Sequence, residues 1–365
     1  MPHWVRPVDI ADELADLGID ADASPRRLAE YSYDASNYRI PPRAVTFPRS
    51  AREVATIVAR CHAIGVPVIV RGGGTSMAGN AIGDGVVIDL SRHLDQVLSV
   101  DAENSSAVAG SGIVLTTLAA RARAATEGRL TFAPDPSSAS RATLGGAIGN
   151  DACGNHSVRY GRTSDHVIEL HLVTADGLLL TATRDGLYAT DPRDRQAVAR
   201  AAEITDELRK LASDNLAILR TELETIPRQV SGYHLARLLP ENGFDVARAL
   251  VGSEGTCAIV VSAKVRLVPV ATSQLLLCVG YHSPADAPAT SPRSSRSRRR
   301  PSRASTARSS PPWPRAAAGT LSPDFPRDPP GCSSTSTPRV PEHRANPTFR
   351  RPPSDSSTTF VRRAG

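Results

Sequence analysis

The composition of the chain changes abruptly near residue 283, and this change limits how much of the chain can fold. Residues 283–365 hold 16 prolines, 16 serines and 15 arginines, with no apolar residues at the spacing of a helix or a strand. Such a segment buries too little apolar surface to offset the entropy lost on folding. We therefore expect a folded part within residues 1–282 and a disordered tail over residues 283–365.

Three interpretations of this tail are open. Its 15 arginines against 5 acidic residues are typical of an arm that binds nucleic-acid phosphates, a reading that we disfavour. A disordered segment without a function is the second interpretation. We favour a shifted reading frame, because 41 arginines against two lysines indicate GC-rich codons, and GC-rich codons read out of frame encode Arg, Pro, Ser and Ala. Plausible codons for "CSSTST" can be reread as Leu-Phe-Val-Asp-Leu, a strand-like run.

A glycine-rich segment follows the apolar run "VPVIV". This glycine loop, "RGGGTSMAG" at residues 71–79, predicts a tight turn that a ligand can approach closely. Backbone N–H groups in such a turn form an anion-binding concavity, to which Thr75 and Ser76 could add hydroxyl groups. Phosphate is the ligand that the pattern favours.

The spacing of the glycine loop excludes the common phosphate motifs. A Walker loop needs a lysine after glycine, but the only lysines are Lys210 and Lys264, and neither follows a glycine. The dinucleotide fingerprint needs a third glycine where Met77 stands. A hydrolase nucleophile elbow at Ser76 would need a helix directly behind it, and the sequence "AGNAIGDG" does not predict one.

Hydrophobic periodicity in the first 282 residues predicts an α+β fold. Residues 50–65 have helical spacing, with a capping box at Ser50 and Glu53 and a stop at Gly65. Strands are predicted at 66–70 and in "GVVIDL", "QVLSV" and "SAVAG", followed by a helix from Leu115. "HVIELHLVTADGLLLTAT" predicts a hairpin, residues 190–224 a charged helical region, and "CAIVVSAKVRLVPV" a long strand.

Two more glycine-rich segments flank predicted strands. The second is "PDPSSASRATLGGAIGNDACGNHSVRYG", residues 134–161, and the third is "GSEGTCAIV", residues 252–260. A large cofactor is held by several loops, so three such segments are more specific than one.

Taken together, these residues resemble the FAD-binding domain of the vanillyl-alcohol oxidase type, also called the PCMH type. The resemblance is greatest to its D-2-hydroxyacid branch, which includes the flavoprotein component of glycolate oxidase, D-lactate dehydrogenases and D-2-hydroxyglutarate dehydrogenases. "YSYDASNYRIPPRAV" at residues 31–45 is similar to the opening of members with a C-terminal iron–sulfur domain. The resemblance implies a two-subdomain α+β FAD-binding domain over residues 41–272, after an N-terminal lead of residues 1–40.

The resemblance also implies which residues bind FAD. Those at the diphosphate would be Arg71, Gly72, Gly73, Gly74, Thr75, Ser76 and Gly79. Those along the flavin and ribityl chain would be Pro134, Asp135, Thr143, Gly145, Gly146, Gly149, Asn150, Tyr160 and Gly161. Those on the adenine side would be Glu254, Gly255, Thr256 and Ile259. Relatives with covalent flavin carry a histidine in the first loop, where Thr75 and Ser76 stand here, so we expect non-covalent FAD.

The implied activity is oxidation of a 2-hydroxy acid of the D-lactate, glycolate or D-2-hydroxyglutarate type. Electrons would pass to an acceptor other than oxygen, such as an iron–sulfur domain or protein. His156 is the base candidate near the flavin stretch. Relatives continue with a substrate-binding cap domain, of which residues 273–282 resemble a truncated start, so no substrate or metal ligand is assigned. An FAD-binding remnant without turnover, or a nucleic-acid binder, is the alternative function.

Location and cysteine usage complete the expectations. No apolar run of signal-peptide length follows Met1, and no stretch approaches the ~20 residues of a membrane span, so we expect a cytoplasmic protein without a span. The five cysteines form no C-x-x-C pair, which argues against zinc sites, iron–sulfur sites and a disulfide framework.

Overall fold

The computed structural model describes residues 10–223 and 232–273, together with the backbone of residues 276–279 and 358–361. The chain divides into two units after Val270, and each is described by itself. Its α-helices are α1 (Ile10–Asp16), α2 (Pro25–Glu30), α3 (Ala51–Ala63), α4 (Leu115–Ala125), α5 (Leu144–Asn150), α6 (Ser157–Tyr160), α7 (Thr163–His166), α8 (Arg195–Asp214), α9 (Leu216–Ile218) and α10 (Val246–Ala249). Single turns of other helix types are Leu219–Leu223, Leu235–Leu238 and Pro240–Asn242.

The strands of the first unit form two main sheets and one small one. The first sheet contains β1 (Ala21–Asp22), β2 (Ala44–Thr46), β3 (Val68–Arg71) and β4 (Val86–Asp89). The second contains β5 (Val97–Asp101), β6 (Ser106–Gly110), β8 (Val167–Val173), β9 (Leu179–Ala182), β10 (Leu187–Ala189) and β11 (Ile259–Arg266). The small sheet pairs β7 (Leu130–Thr131) with β12 (Val268–Pro269).

The first sheet has the order β1-β2-β4-β3, and its strands β2, β4 and β3 run parallel. Val45 and Ile69 both pair with Val87 of the central strand β4. All four residues of β4 are buried, as expected for a strand covered on both faces. Because β2, β4 and β3 are parallel, their carboxyl ends lie at the same end of the sheet. The glycine loop follows β3 at that end.

The second sheet is antiparallel throughout, with the order β10-β9-β8-β11-β6-β5. Its long strand β11 lies between β8 and β6, and alternate residues of β11 are buried. Helices α4, α5 and α8 contribute buried side chains to the core beside this sheet, including Leu118, Ile148 and Ala201. The α+β fold class is therefore confirmed.

Helix α3 joins the two sheets through one shared core. Its buried residues Val54, Ile57 and Val58 belong to a cluster that also contains Ile88 of the first sheet and Val173 of the second. The helix begins as expected from the sequence, because Ser50 Oγ accepts a hydrogen bond from the Glu53 N–H at 3.2 Å. It ends before Gly65, which has a φ of +68°.

Residues 10–40, which precede the predicted FAD-binding domain, also belong to this unit. Helix α1 buries Ile10 and Leu14 in the shared core, and β1 pairs with β2 at the edge of the first sheet. Within the described ranges, no helix combines the length and apolar character needed to cross a membrane.

The second unit is described at two strands, β13 (Leu276–Val279) and β14 (Thr358–Val361), which pair antiparallel. The other residues of the expected 283–365 tail lie outside the described residues, as does the rereading of "CSSTST". Of residues 273–282, the predicted start of a cap domain, the structure describes residue 273 and strand β13.

Candidate functional site

A cavity of about 600 Å³ lies where the three glycine-rich segments meet. Its volume is within the range of ordinary cofactor pockets. It lies between the carboxyl end of β3, the end of β6, helix α5 and the start of β11. Most of the predicted cofactor residues line it, namely Arg71, Gly72, Gly73, Gly74, Thr75, Ser76, Thr143, Gly145, Gly146, Gly149, Asn150, Glu254, Gly255 and Ile259.

The glycine loop presents backbone donors to this cavity. Within the described part of the chain, no N–H group of residues 73–77 donates a hydrogen bond. Adjacent N–H groups in a turn attract anions. The loop therefore has the chemistry expected of a phosphate site. Its donors are the N–H groups of a turn and not those of a helix N-terminus.

The glycines at positions 72 and 73 are required by protein packing. A Cβ on Gly72 would lie 2.0 Å from Thr143 Oγ1, and a Cβ on Gly73 would lie 2.1 Å from the Arg141 carbonyl oxygen. The first and second glycine-rich segments thus touch with no room for a side chain between them. This contact closes one wall of the cavity.

The side chains of the glycine loop differ in where they point. Ser76 Oγ donates to Asn80 Oδ1 at 2.8 Å and accepts from the Ala78 and Asn80 N–H groups, so this hydroxyl stabilises its own loop. The Arg71 guanidinium donates to the carbonyl oxygens of Tyr33 and Ala81. These two side chains stabilise the shape of the loop, whose residues 71–78 line the cavity.

The second glycine-rich segment contains a helix that the sequence did not indicate. Thr143 is the N-cap of α5, and its hydroxyl accepts from the Gly146 N–H at 3.3 Å. The Gly145 N–H donates to the Ser111 carbonyl oxygen at 2.7 Å. A Cβ on Gly145 would lie 2.7 Å from Ser111 Cβ, so glycine lets α5 approach the end of β6.

Asp151, directly after α5, carries a buried charge beside the cavity. Its carboxylate accepts from the Ser164 N–H at 2.8 Å and from Arg162 Nη1 at 3.1 Å. His234 Nε2 lies 3.6 Å from the same carboxylate, and burial lowers the pKa of this imidazole. The cluster fixes the end of α5.

The third glycine-rich segment places Glu254 in the cavity wall. This residue has a φ of +54°, which is uncommon outside glycine, and its N–H donates to the Gly149 carbonyl oxygen at 3.0 Å. Burial raises the pKa of its carboxyl above the usual value, and a hydrogen bond from Asn150 opposes the rise.

Six predicted cofactor residues are not in the cavity wall: Gly79, Pro134, Asp135, Tyr160, Gly161 and Thr256. Asp135 Oδ2 lies 2.6 Å from His156 Nδ1, and the Thr256 hydroxyl donates to the Ser253 carbonyl oxygen. The Tyr160 carbonyl accepts from His166 Nε2 at 2.9 Å. His156 lies outside the cavity wall, and its side chain is 63% exposed.

Ser111 is a cavity residue that the sequence interpretation missed. It is 1% exposed, it lines the cavity, and its Oγ has no hydrogen-bond partner among the described residues. A buried hydroxyl without a partner is uncommon, and its place in the cavity wall makes this one available to a bound group. The signal available in the sequence was its place between Gly110 and Gly112, directly after a predicted strand.

Comparison with protein families identifies the region of the chain that contributes much of this cavity. Residues 42–183 match the family described as FAD binding domain. The chain contains an FAD-binding domain. The match covers the glycine loop, α5 and His156, so the resemblance inferred from the sequence is confirmed.

Curated relatives of this FAD-binding domain are named as 2-hydroxy acid enzymes. A D-2-hydroxyglutarate dehydrogenase from Pseudomonas putida is 35% identical over 276 residues, which are 74% of this chain and 26% of that protein. The glycolate oxidase subunit GlcD from Bacillus subtilis is 32% identical over 264 residues, 72% of this chain and 44% of that protein. The chain thus spans between a quarter and a half of the length of these relatives.

A solved structure of alkyldihydroxyacetonephosphate synthase shares the fold. It superposes with a TM-score of 0.55 over 79% of this chain and 49% of the other, at 18% sequence identity. This similarity supports the PCMH-type architecture of the FAD-binding domain.

The residues of the cavity fit FAD. The free N–H groups of residues 73–77 suit its diphosphate, and the Ser111 hydroxyl offers an unused hydrogen-bonding group. No histidine lines the cavity within the described ranges. These residues would hold the cofactor by contacts from three separate segments.

Proposed function

We propose that this chain binds FAD non-covalently in the cavity and serves the oxidation of a 2-hydroxy acid. The observation that carries the proposal is the convergence of three glycine-rich segments on one cavity with unused donors. The D-2-hydroxyglutarate dehydrogenases and the glycolate oxidase protein among its relatives support the substrate class. D-Lactate, glycolate and D-2-hydroxyglutarate are the candidate substrates.

The bound FAD would supply the redox chemistry by accepting a hydride from the carbon that bears the hydroxyl group. The chain would orient the cofactor through the glycine loop and the α5 segment. Burial of Ser111 and the contact of Gly72 with Thr143 would keep water from that wall. We propose an acceptor other than oxygen for the electrons, such as an iron–sulfur domain or protein.

We propose His156 as the base that removes the substrate hydroxyl proton. Asp135 Oδ2 lies 2.6 Å from its Nδ1, an arrangement that places the proton on Nδ1 and leaves Nε2 as the acceptor. The exposed ring would meet substrate from outside the cavity wall. His156→Gln is therefore expected to slow turnover without releasing FAD.

The test uses the purified full chain, reconstituted with FAD. Each candidate hydroxy acid is mixed with it under anaerobic conditions, and the flavin absorbance and the reduction of a dye acceptor are followed. Bleaching of the flavin by at least one of the acids, with dye reduction, is the expected result. Bound FAD that none of the acids bleaches would instead support the flavin-binding remnant.

The FAD-binding remnant without turnover stays the alternative that this bleaching experiment decides against or for. The cytoplasmic location stays a prediction, and so does the nucleic-acid alternative, whose tail lies largely outside the described residues. Salt-sensitive DNA binding that is lost on deleting residues 283–365 would support that alternative.

A further inference from the structure

Residues 31–40 form a strap that lies against the glycine loop. The strap precedes residues 42–183, the region that matches the FAD-binding domain family. It turns back on itself, with an antiparallel bridge between Tyr33 and Arg39. It is therefore a small folded element outside the matched region.

The strap contacts the glycine loop through backbone and side-chain groups. The Ala35 N–H donates to the Gly74 carbonyl oxygen at 3.1 Å. A Cβ on Gly79 would lie 3.0 Å from the Tyr38 ring, so the strap packs closely on the far end of the loop as well. The strap therefore contacts the glycine loop at its middle, Gly74, and at its end, Gly79.

The Arg71 side chain connects the strap to the residues at the base of the glycine loop. Its Nη1 donates to the Tyr33 carbonyl oxygen at 2.9 Å and to the Ala81 carbonyl oxygen at 3.1 Å, which closes the base of the loop. The guanidinium carbon lies 5.0 Å from the centroid of the Tyr31 ring, and a Cβ on Gly74 would lie 2.5 Å from Nη2. The loop therefore curls around this guanidinium group.

Asp34 of the strap completes the attachment. Its Oδ2 accepts from the Ala81 N–H at 3.3 Å, and its Oδ1 accepts from the Ser36 N–H at 2.8 Å. Partial burial alone would raise the pKa of this carboxyl, but these hydrogen bonds and the Arg71 charge outweigh it, and the pKa lies below its usual value. Asp34 is therefore a carboxylate at neutral pH, in contact with the residue that follows the glycine loop by two positions, Ala81.

We propose that the strap holds the glycine loop in the shape that receives the FAD diphosphate, and that Arg71 is a positioning residue for the loop and not a ligand of the diphosphate. The proposal rests on the proposed FAD binding. It explains why a negative charge, Asp34, stands beside an anion site: the carboxylate secures the base of the loop at Ala81. Arg71 donates both hydrogen bonds from Nη1 while its planar guanidinium lies near the Tyr31 ring, a combination that a lysine ammonium group does not reproduce.

The test compares Arg71→Lys and Asp34→Asn with the control Arg43→Gln. Arg43 is an exposed arginine that pairs with Asp84 and has no side-chain contact with the strap in the described structure. Two quantities are measured for each variant. The first is the rate of FAD release, followed by flavin fluorescence after dilution. The second is the rate of trypsin cleavage after Arg39 in the FAD-free protein.

With the strap attached as proposed, Arg71→Lys and Asp34→Asn release FAD about tenfold faster than wild type. Cleavage after Arg39 is also faster in both variants, and Arg43→Gln matches wild type in both measurements. If Arg71 contacted the diphosphate directly, Asp34→Asn should instead slow FAD release, since it removes a negative charge near the anion. Slower or unchanged FAD release, together with unchanged cleavage after Arg39, would contradict the proposed role of the strap. If wild type retains no FAD, the proposed function fails, and the cleavage rates alone decide whether the strap is attached.

Discussion

Asn150 donates a hydrogen bond of 2.7 Å from its side-chain amide to Glu254 Oε1, although the two residues are 104 positions apart in the chain. The bond joins the end of α5 to the third glycine-rich segment. A second contact runs beside it, because the Glu254 N–H donates to the Gly149 carbonyl oxygen at 3.0 Å. Two segments that are distant in sequence thus form one continuous wall of the cavity.

Glu254→Gln is expected to stabilise the FAD-free protein increasingly as the pH rises. Burial raises the pKa of this carboxyl above its usual 4.5, so between 4.5 and the raised value the folded state holds a proton that the unfolded chain has lost. Folding stability therefore falls as the pH rises through this window, and glutamine removes that fall. Urea unfolding from pH 4 to 8 measures it.

Glu30→Gln is the matched control for the pH prediction. A hydrogen bond from Arg26 lowers the pKa of Glu30, with the charge of Arg27 acting in the same direction. This carboxylate stabilises the folded state above 4.5, and the stabilisation is lost as the pH falls through its folded pKa. Glu30→Gln should thus lose stability relative to wild type as the pH rises. Equal pH profiles for the two variants would contradict the assignment.

Gly73→Ala is expected to destabilise the FAD-free protein by about 1–3 kcal/mol, because its Cβ would meet the Arg141 carbonyl oxygen. Gly149→Ala is the comparison, since its Cβ would have no neighbour closer than 3.8 Å and alanine favours a helix by about 0.5–1 kcal/mol. Thermal and urea unfolding of both variants measure the difference. Equal stabilities would show that the contact between the first two segments is absent.

Ser111→Ala should separate cofactor binding from stability. Removing a buried hydroxyl without a partner is expected to leave the FAD-free protein as stable or stabilise it by about 1 kcal/mol, while FAD affinity falls about tenfold. Ser106→Ala, at a buried serine that begins β6 and does not line the cavity, should leave the affinity unchanged. Unchanged FAD affinity in Ser111→Ala would remove Ser111 from the site.

Asp151→Ala is expected to cost about 3–5 kcal/mol of stability, because it leaves the Arg162 guanidinium without its buried carboxylate. The surface pair of Asp191 and Arg193 serves as the control, and Asp191→Ala should leave the stability nearly unchanged because solvent screens this pair. Urea unfolding at neutral pH compares the two. A similar small cost in both would show that the Asp151 cluster does not stabilise the end of α5.

The sequence predicted the regular elements well where local signals were strong. Ser50 and Gly65 bounded α3 correctly, and the alternation of β11 marked a strand with one buried face. Helix α5 was missed because Leu144–Asn150 contains three glycines, which are poor helix formers. Its existence depends on the Thr143 cap and on packing against Ser111, neither of which a local pattern reveals.

The site was predicted in outline but not in the roles of its side chains. The positions of the three glycine-rich segments followed from their motifs, and they do meet at one cavity. The sequence did not show why particular positions must be glycine. Gly72 and Gly73 have no room for a side chain because residues 141–143 lie against them. Long-range contacts of this kind, like those of Arg71 with the strap, depend on tertiary structure.

The most direct test of the account is the flavin content of the purified chain. The protein is incubated with FAD, freed of unbound flavin and denatured, and the released flavin is identified by chromatography and measured against protein concentration. We expect FAD in the supernatant at about one molecule per chain, with no flavin left on the polypeptide. Protein that retains no FAD after reconstitution would contradict the assignment of the cavity, and flavin that stays with the denatured chain would contradict non-covalent binding.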